Sequence, residues 1–274
     1  METIWRRLDG VSDERTKGWM LVDSPGLIVL LLSLYWLMVW RGPKIMQNRG
    51  PLNVIPSMSL YNLFMCFLNA YIFFELLAGA LNGGYSFQCQ PSRPKNKSEN
   101  ELRVAKAVWL YFLSKPIEFL DTLFFILRKK SNQLTVLHIY HHSSVFVVGW
   151  LAVKWTPTGS SFFAPMINCF IHVIMYSYYG LTLLGSRYQK YLWWKKYLTV
   201  LQLIQFVITL IWSVFNLFGS SAKGGFGFGF GSHFGFSFGC DFPKWPHFIS
   251  VFYMTSFLVL FGKFYAKSYH RKRD

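Results

Sequence analysis

Apolar stretches of 17 to 26 residues recur seven times in this chain, at 24–40, 56–81, 106–127, 136–153, 161–184, 197–218 and 247–266. A helix needs about 20 mostly apolar residues to cross the hydrocarbon of a bilayer. The pattern therefore predicts an all-α polytopic membrane protein with seven transmembrane helices. Only 15% of the residues are charged, against about 25% in soluble domains. The same composition excludes a disordered chain, and four cysteines are too few for a disulfide scaffold. A net charge of +16 would suit nucleic acid, but the basic residues lie between apolar blocks and leave no folded basic domain. No nucleic-acid partner is expected. The cationic loops face a lipid bilayer, or an anionic substrate, instead.

Seven spans put the two ends of the chain on opposite sides. Loops 41–56, 128–135, 185–196 and 267–274 carry 14 Lys and Arg in 44 residues, whereas 1–23, 82–105, 154–160 and 219–246 carry 11 in 82. The positive-inside rule places the denser set in the cytosol, with a luminal N-terminus and a cytosolic C-terminus. Glu2, Asp9, Asp13 and Glu14 precede the first apolar block, so no cleavable signal is expected. Asn96-Lys97-Ser98 is a glycosylation sequon in a luminal loop. Cys89 and Cys240 fall on the side where a disulfide can persist, while Cys66 and Cys169 lie within spans as packed thiols. The organisation is a luminal leader (1–23), a seven-span body (24–266) and a basic cytosolic tail (267–274). A Gly/Phe-rich segment at 219–239 reads as a luminal insertion, because Gly-rich backbone spans lipid at high cost. The tail Arg271-Lys272-Arg273-Asp274 is similar to a dilysine retrieval signal, which points to the endoplasmic reticulum membrane.

The informative residues are the polar ones inside the spans. Lys115, Glu118 and Asp121 occupy the third span at a spacing of three, followed by Thr122, which keeps them on one helical face. A charge at the bilayer centre costs roughly 2.5–3.5 kcal/mol, so this face should point into the bundle, where Lys115 can pair with Glu118. A purely structural ion pair and a direct chemical role both fit. At the start of the fourth span, His138, His141 and His142 stand at i, i+3 and i+4, on one face. The fifth span contributes Asn168, His172, Met175, Tyr176 and Tyr179 at similar spacings, with Tyr178 beside them. The sixth adds Thr199, Gln202 and Gln205, for which interhelical hydrogen bonding is the plain alternative.

Three histidines at helical spacing suit a metal or covalent chemistry. A zinc motif lacks its third ligand and general base here. A di-iron desaturase or hydroxylase also carries His-x-x-His-His, but it draws on histidines in several boxes. Of the seven histidines, His233, His247 and His270 fall at or beyond the span edges, leaving His138, His141, His142 and His172 to meet. A neutral imidazole, with an ordinary pKa of about 6.5, is a competent nucleophile toward a thioester. A basic cytosolic mouth suits phosphates and an apolar interior suits an acyl tail; acyl-CoA has both. A seven-span protein that merely binds lipids, such as a receptor or transporter, is the non-enzymatic alternative.

With these residues in view, the chain resembles the fatty-acid elongases, the ELO family of very-long-chain 3-oxoacyl-CoA synthases. The matching motifs are Lys115-x-x-Glu118-x-x-Asp121-Thr122, His138-x-x-His141-His142, Asn168-x-x-x-His172-x-x-Met175-Tyr176-x-Tyr178-Tyr179 and Thr199-x-x-Gln202-x-x-Gln205, all in order. Gln133 and the run Lys190-Tyr191-Leu192-Trp193-Trp194-Lys195 resemble the branch that elongates very long and polyunsaturated chains. The resemblance implies seven helices around a closed acyl tunnel and an acyltransferase that condenses acyl-CoA with malonyl-CoA, without metal or redox cofactor. It implies that His141 attacks the thioester, that His172 is the second active-site histidine, and that His138 and His142 orient and polarise. Asn168 and Tyr176 are candidates for holding the thioester or enolate oxygen. Arg128, Lys130 and Lys195 are candidates for the CoA phosphates. Lys115, Glu118, Asp121, Tyr179 and Gln202 complete the expected substrate site. The family's luminal disulfide maps to Cys89 and Cys240. Other enzymes of the elongation cycle and a second copy of the chain are the remaining candidate partners.

Overall fold

The computed structural model describes residues 9–218 and 241–270. It is all-helical, and among the described residues seven helices reach 20 residues or more: α1 (Pro25–Ile45), α2 (Ile55–Asn82), α3 (Glu99–Leu127), α4 (Val136–Trp155), α5 (Phe163–Thr182), α6 (Lys195–Phe218) and α7 (Lys244–Tyr265). Six of them are long and apolar enough to cross a membrane. The other, α3, has 29 residues but carries the charged face expected of the third span. Local chemistry sets several starts. Ser24 caps α1 through its hydroxyl, with Pro25 following, and Thr135 caps α4 by accepting from the His138 N–H.

α2 packs mainly against α5 and α3, α3 against α4, and α6 against α7. Two close approaches need glycine. A Cβ on Gly79 of α2 would meet Val104 Cγ2 of α3 at 2.8 Å, and one on Gly42 of α1 would meet Ile126 Cδ1 at 2.9 Å. The largest apolar cluster gathers Ile72, Leu76, Val108, Phe112, Phe146, Trp150 and Phe162, from four elements. α1 is the outermost helix, with only Ile28 and Tyr35 fully buried.

Among the described residues, the loops segregate to two ends as the charge pattern groups them. At one end the Asp13 N–H donates to the Lys154 carbonyl (2.9 Å), the Ser160 N–H to Gln90 (3.0 Å), and the Trp212 indole to the Phe87 carbonyl (2.8 Å). At the other, the Leu52 N–H donates to the Leu127 carbonyl (3.0 Å) and Lys129 Nζ to the carbonyls of Gln47 and Arg49. The insertion at 219–239, Cys240 and the tail 271–274 lie outside the described residues, as does His233. Cys89 is disulfide-bonded, whereas Cys66 and Cys169 are free, as expected of packed thiols.

Residues 9–23 are more than a leader. Arg15 is buried, and all five of its N–H groups are used. Nε and Nη2 grip Asp13 at 2.9 and 2.6 Å, Nη1 donates to Glu101 (2.9 Å) and to the Asn96 carbonyl (3.0 Å), and Nη2 also donates to Thr158 (2.9 Å). Tyr85 donates to the other oxygen of Glu101 at 2.7 Å. Burial, and then this bond to Glu101, push the Tyr85 hydroxyl above the ordinary tyrosine range. Lys154, in the last turn of α4, pairs with Asp9 at 2.7 Å. One guanidinium thus joins the first described segment, the α2–α3 loop, α3 and the α4–α5 loop. Arg15→Met strands two buried carboxylates and should cost about 3–5 kcal/mol, read as a lower melting temperature in detergent. Tyr85→Phe removes one hydrogen bond and should cost about 1 kcal/mol. Equal melting of all three proteins would remove this network from the account of stability.

Candidate active site

Helical spacing carries the charged face of α3 inward. Lys115 Nζ lies 2.6 Å from Glu118 Oε1, with both side chains wholly buried, and 4.2 Å from the centre of the Tyr111 ring. The Ser114 hydroxyl, which donates to the Tyr111 carbonyl at 2.7 Å, lies 3.4 Å from the same carboxylate oxygen. Glu118 Oε2 has no hydrogen-bond partner. Asp121 accepts from the Tyr176 hydroxyl at 3.0 Å, and Tyr176 stands 3.5 Å from Tyr61 of α2. Thr122 Oγ1 lies 2.7 Å from His138 Nε2.

The four histidines that could meet do meet. His138 and His142 have ring centres 4.3 Å apart, His142 and His141 5.1 Å, and His141 and His172 6.5 Å. His172 of α5 brings Nδ1 to 3.5 Å from Glu118 Oε1, without the alignment of a hydrogen bond, and sets its edge against the Tyr176 ring. Phe257 of α7 lies 5.3 Å from the His141 ring. The imidazoles therefore sit between the ion pair of α3 and the aromatic face of α7. Among the described residues, no three His, Cys, Asp or Glu side chains are grouped to hold a metal ion.

A cavity of about 140 Å³ opens beside His141 between α3, α4 and α5 on one side and α6 and α7 on the other. Its walls are mostly apolar and include Val145, Gly149, Phe206 and Phe257, and its far end is lined by Trp212, Phe242 and His247. Ten residues of α7 separate His247 from Phe257, about 15 Å at 1.5 Å per residue. Asn168 lines the cavity and accepts the Tyr111 hydroxyl at 3.1 Å, leaving its amide N–H groups as donors.

The other expected residues divide by position. Gln202 reaches only the sulfur of Met175 (3.7 Å), whereas Gln205, one turn on, lines the cavity with its buried Oε1 unpartnered. Tyr179 is 37% exposed and touches the site only through the Tyr176 ring, 6.2 Å away. Arg128 contacts the Met58 sulfur at 3.6 Å. Lys130 and Lys195 are exposed, at the end of the bundle opposite the Arg15 network. The structure adds residues that sequence reading passed over. Tyr61, Tyr111 and Tyr253 surround the site, and the Tyr253 hydroxyl lies 3.0 Å from Ser144 Oγ, whose proton goes to the Tyr140 carbonyl. His247 shares the cavity with His141 although it sits at a span edge. None of these stands at a spacing that marks it in the sequence, whereas Gln205 does, through its interval from Gln202.

The ELO family, described as GNS1/SUR4, matches residues 20–274 of this chain. Very long chain fatty acid elongase 4 of Mus musculus is 44% identical over 264 residues, covering 96% of this chain and 78% of that protein. Very long chain fatty acid elongase 2 of Mus musculus is 43% identical over 263 residues, covering 96% and 82%. Very long chain fatty acid elongase 5 of Xenopus tropicalis is 41% identical over 264 residues, again covering 96% and 82%. A match along nearly the whole chain, joined to a buried histidine cluster at the head of an apolar cavity, carries one conclusion: the chain belongs to the ELO family.

Proposed function

We propose that this protein is the condensing enzyme of fatty-acid elongation in the endoplasmic reticulum membrane, joining a long-chain acyl-CoA to malonyl-CoA. The observation that carries this reading is the series of four imidazoles beside a buried carboxylate at the head of an apolar cavity. In the first half-reaction a ring nitrogen of His141 attacks the thioester carbonyl, the C–S bond breaks, and CoA leaves as its thiolate. The acyl group then sits on the imidazole with its tail along the cavity. In the second, malonyl-CoA loses carbon dioxide, and the resulting enolate carbon attacks the acyl carbonyl. The C–N bond breaks, the imidazole is restored, and 3-oxoacyl-CoA departs two carbons longer. Summed, acyl-CoA, malonyl-CoA and one proton give 3-oxoacyl-CoA, CoA and carbon dioxide.

Side-chain roles follow from the bonds each group has left. Tyr176 has one hydroxyl proton, directed at Asp121, so the reacting oxygen falls to the free amide N–H groups of Asn168. Glu118 Oε1, fixed by Lys115, lies 3.5 Å from His172 Nδ1, which suits the carboxylate to hold that ring in place. Arg128, Lys130 and Lys195 would receive the CoA phosphates at the cytosolic end. In this reading α3 is the seventh span. Its 29 residues are about 43 Å long, enough to cross a hydrocarbon core of about 30 Å, and its charges are covered by the bundle. The Arg15 end is then luminal, which suits the disulfide-bonded Cys89 and the sequon at Asn96.

Purified protein given acyl-CoA alone should release CoA and gain the mass of one acyl group. His141→Ala should lower that release at least about 1000-fold. A variant that still acylates would put the nucleophile elsewhere. Thr209→Trp fills the cavity wall and should shift products toward shorter chains with total turnover less affected, measured as a product profile over saturated and polyunsaturated acyl-CoAs. An unchanged profile would mean that the acyl tail lies outside this cavity.

A further inference from the structure

α1 faces mostly outward, and a helix in that position has little reason to bury a polar tip. Of its residues only Ile28 and Tyr35 are fully buried, seven apart and so on one face. Tyr35 is 2% exposed and stacks on Phe119 of α3 with ring centres 4.3 Å apart. Its hydroxyl lies 3.3 Å from Thr122 Oγ1, which is fully buried and also lies 2.7 Å from His138 Nε2. A threonine hydroxyl has one proton, so between two partners it donates to one and accepts from the other. With that proton on Tyr35, the short contact to His138 needs a proton on Nε2 of the imidazole.

We propose that Tyr35 and Thr122 are positioning residues that lock His138 in its Nε2–H form and orientation, and through the ring contacts of His138 with His142 and of His142 with His141 hold the reactive imidazole in place. The proposal rests on the elongase reading for its consequence, though not for its geometry. Each link is a contact between rigid groups. Tyr35 is fixed by Phe119, Thr122 by its place in α3, and the His138 backbone by the cap at Thr135, whose hydroxyl takes the His138 N–H at 3.2 Å. The imidazole of His138 packs against Phe125 at 5.1 Å on its other side. Two torsions remain to be set, and the hydrogen bond from Nε2 sets them. Without it the ring is free to turn, and His142, whose buried Nδ1 has no partner, loses the surface against which it rests.

The test uses full-length protein carrying Thr122→Val, Thr122→Ser or Tyr35→Phe. Thr122→Val keeps the shape of the side chain and removes the hydroxyl. It should lower kcat for CoA release on the order of 100-fold while KM for acyl-CoA stays within about twofold, the mark of a displaced reacting group rather than lost binding. Thr122→Ser should restore most of the rate. Tyr35→Phe should cost on the order of 10-fold, since Thr122 can still reach His138. Nitrogen-15 spectra of histidine-labelled protein should show the Nε2–H signal of His138 in the wild type and in Thr122→Ser, but not in Thr122→Val. A Thr122→Val enzyme with wild-type kcat, or a Thr122→Ser variant as slow as Thr122→Val, overturns the proposal. Wild-type protein that releases no CoA refutes the elongase reading instead, and the nitrogen spectra then decide the positioning on their own.

Discussion

The buried contact between Lys115 and Glu118 governs the arrangement of everything around it. Two ions at 2.6 Å with no exposure have given up all their hydration, and only close, complete enclosure keeps their mutual attraction above that cost. Enclosure here means α4 and α5 laid across the charged face of α3, with the Tyr111 ring under the ammonium. The same requirement brings His172 to the carboxylate oxygen that Lys115 holds and the His138–His142 pair against Thr122, one turn along. A bundle that shields this pair from lipid therefore gathers its histidines at one level without a separate device to do so. It also makes the site dry, which strengthens every remaining hydrogen bond and dipole there.

Much of this was legible in the sequence because it depends on spacing. The i, i+3, i+4 run of His138, His141 and His142, and the Lys115–Glu118 interval, fix faces of helices whose existence the apolar stretches already imply. The start of α3 was not. The third apolar stretch begins at Lys106, whereas the helix begins at Glu99, because its first two turns are polar and Glu101 is spent on Arg15, 86 positions earlier in the chain. Hydropathy reports what lipid would cover and is silent on polar turns that a folded loop covers. Tyr35 was hidden for a related reason. On a helix with so few buried positions, one tyrosine among many aromatics has no spacing that sets it apart, and its partner lies 87 residues away.

Sequence spacing groups Gln202 with the site and sets His247 at a span edge, and the structure places both more finely than position along a helix can. Gln202 and Gln205 are one turn apart, close enough to share a face, yet the first meets the Met175 sulfur and the second lines the cavity. His247 lies at a span edge, which is a statement about depth. The cavity runs along the helix axes, so depth does not separate His247 from His141; it makes them opposite ends of one space.

That space exists because α6 and α7 pack chiefly on each other and meet the remaining helices along their edges. Two polar ties hold α7 to α4 at the level of the histidines: Tyr140 with Ser256 at 2.9 Å, and Ser144 with Tyr253 at 3.0 Å. At the far end, Trp212 and Asn216 of α6 bind the carbonyls of Phe87 and Gln88, beside the disulfide-bonded Cys89. The gap between these two levels is held open by the ties above and below it rather than filled by side chains. The walls of this space come from five helices, and Tyr253 and Trp212, which make two of these ties, line it. The cavity is thus held between two tied levels of the bundle, and an apolar group that fits it would gain from burial without the cost of opening the helices.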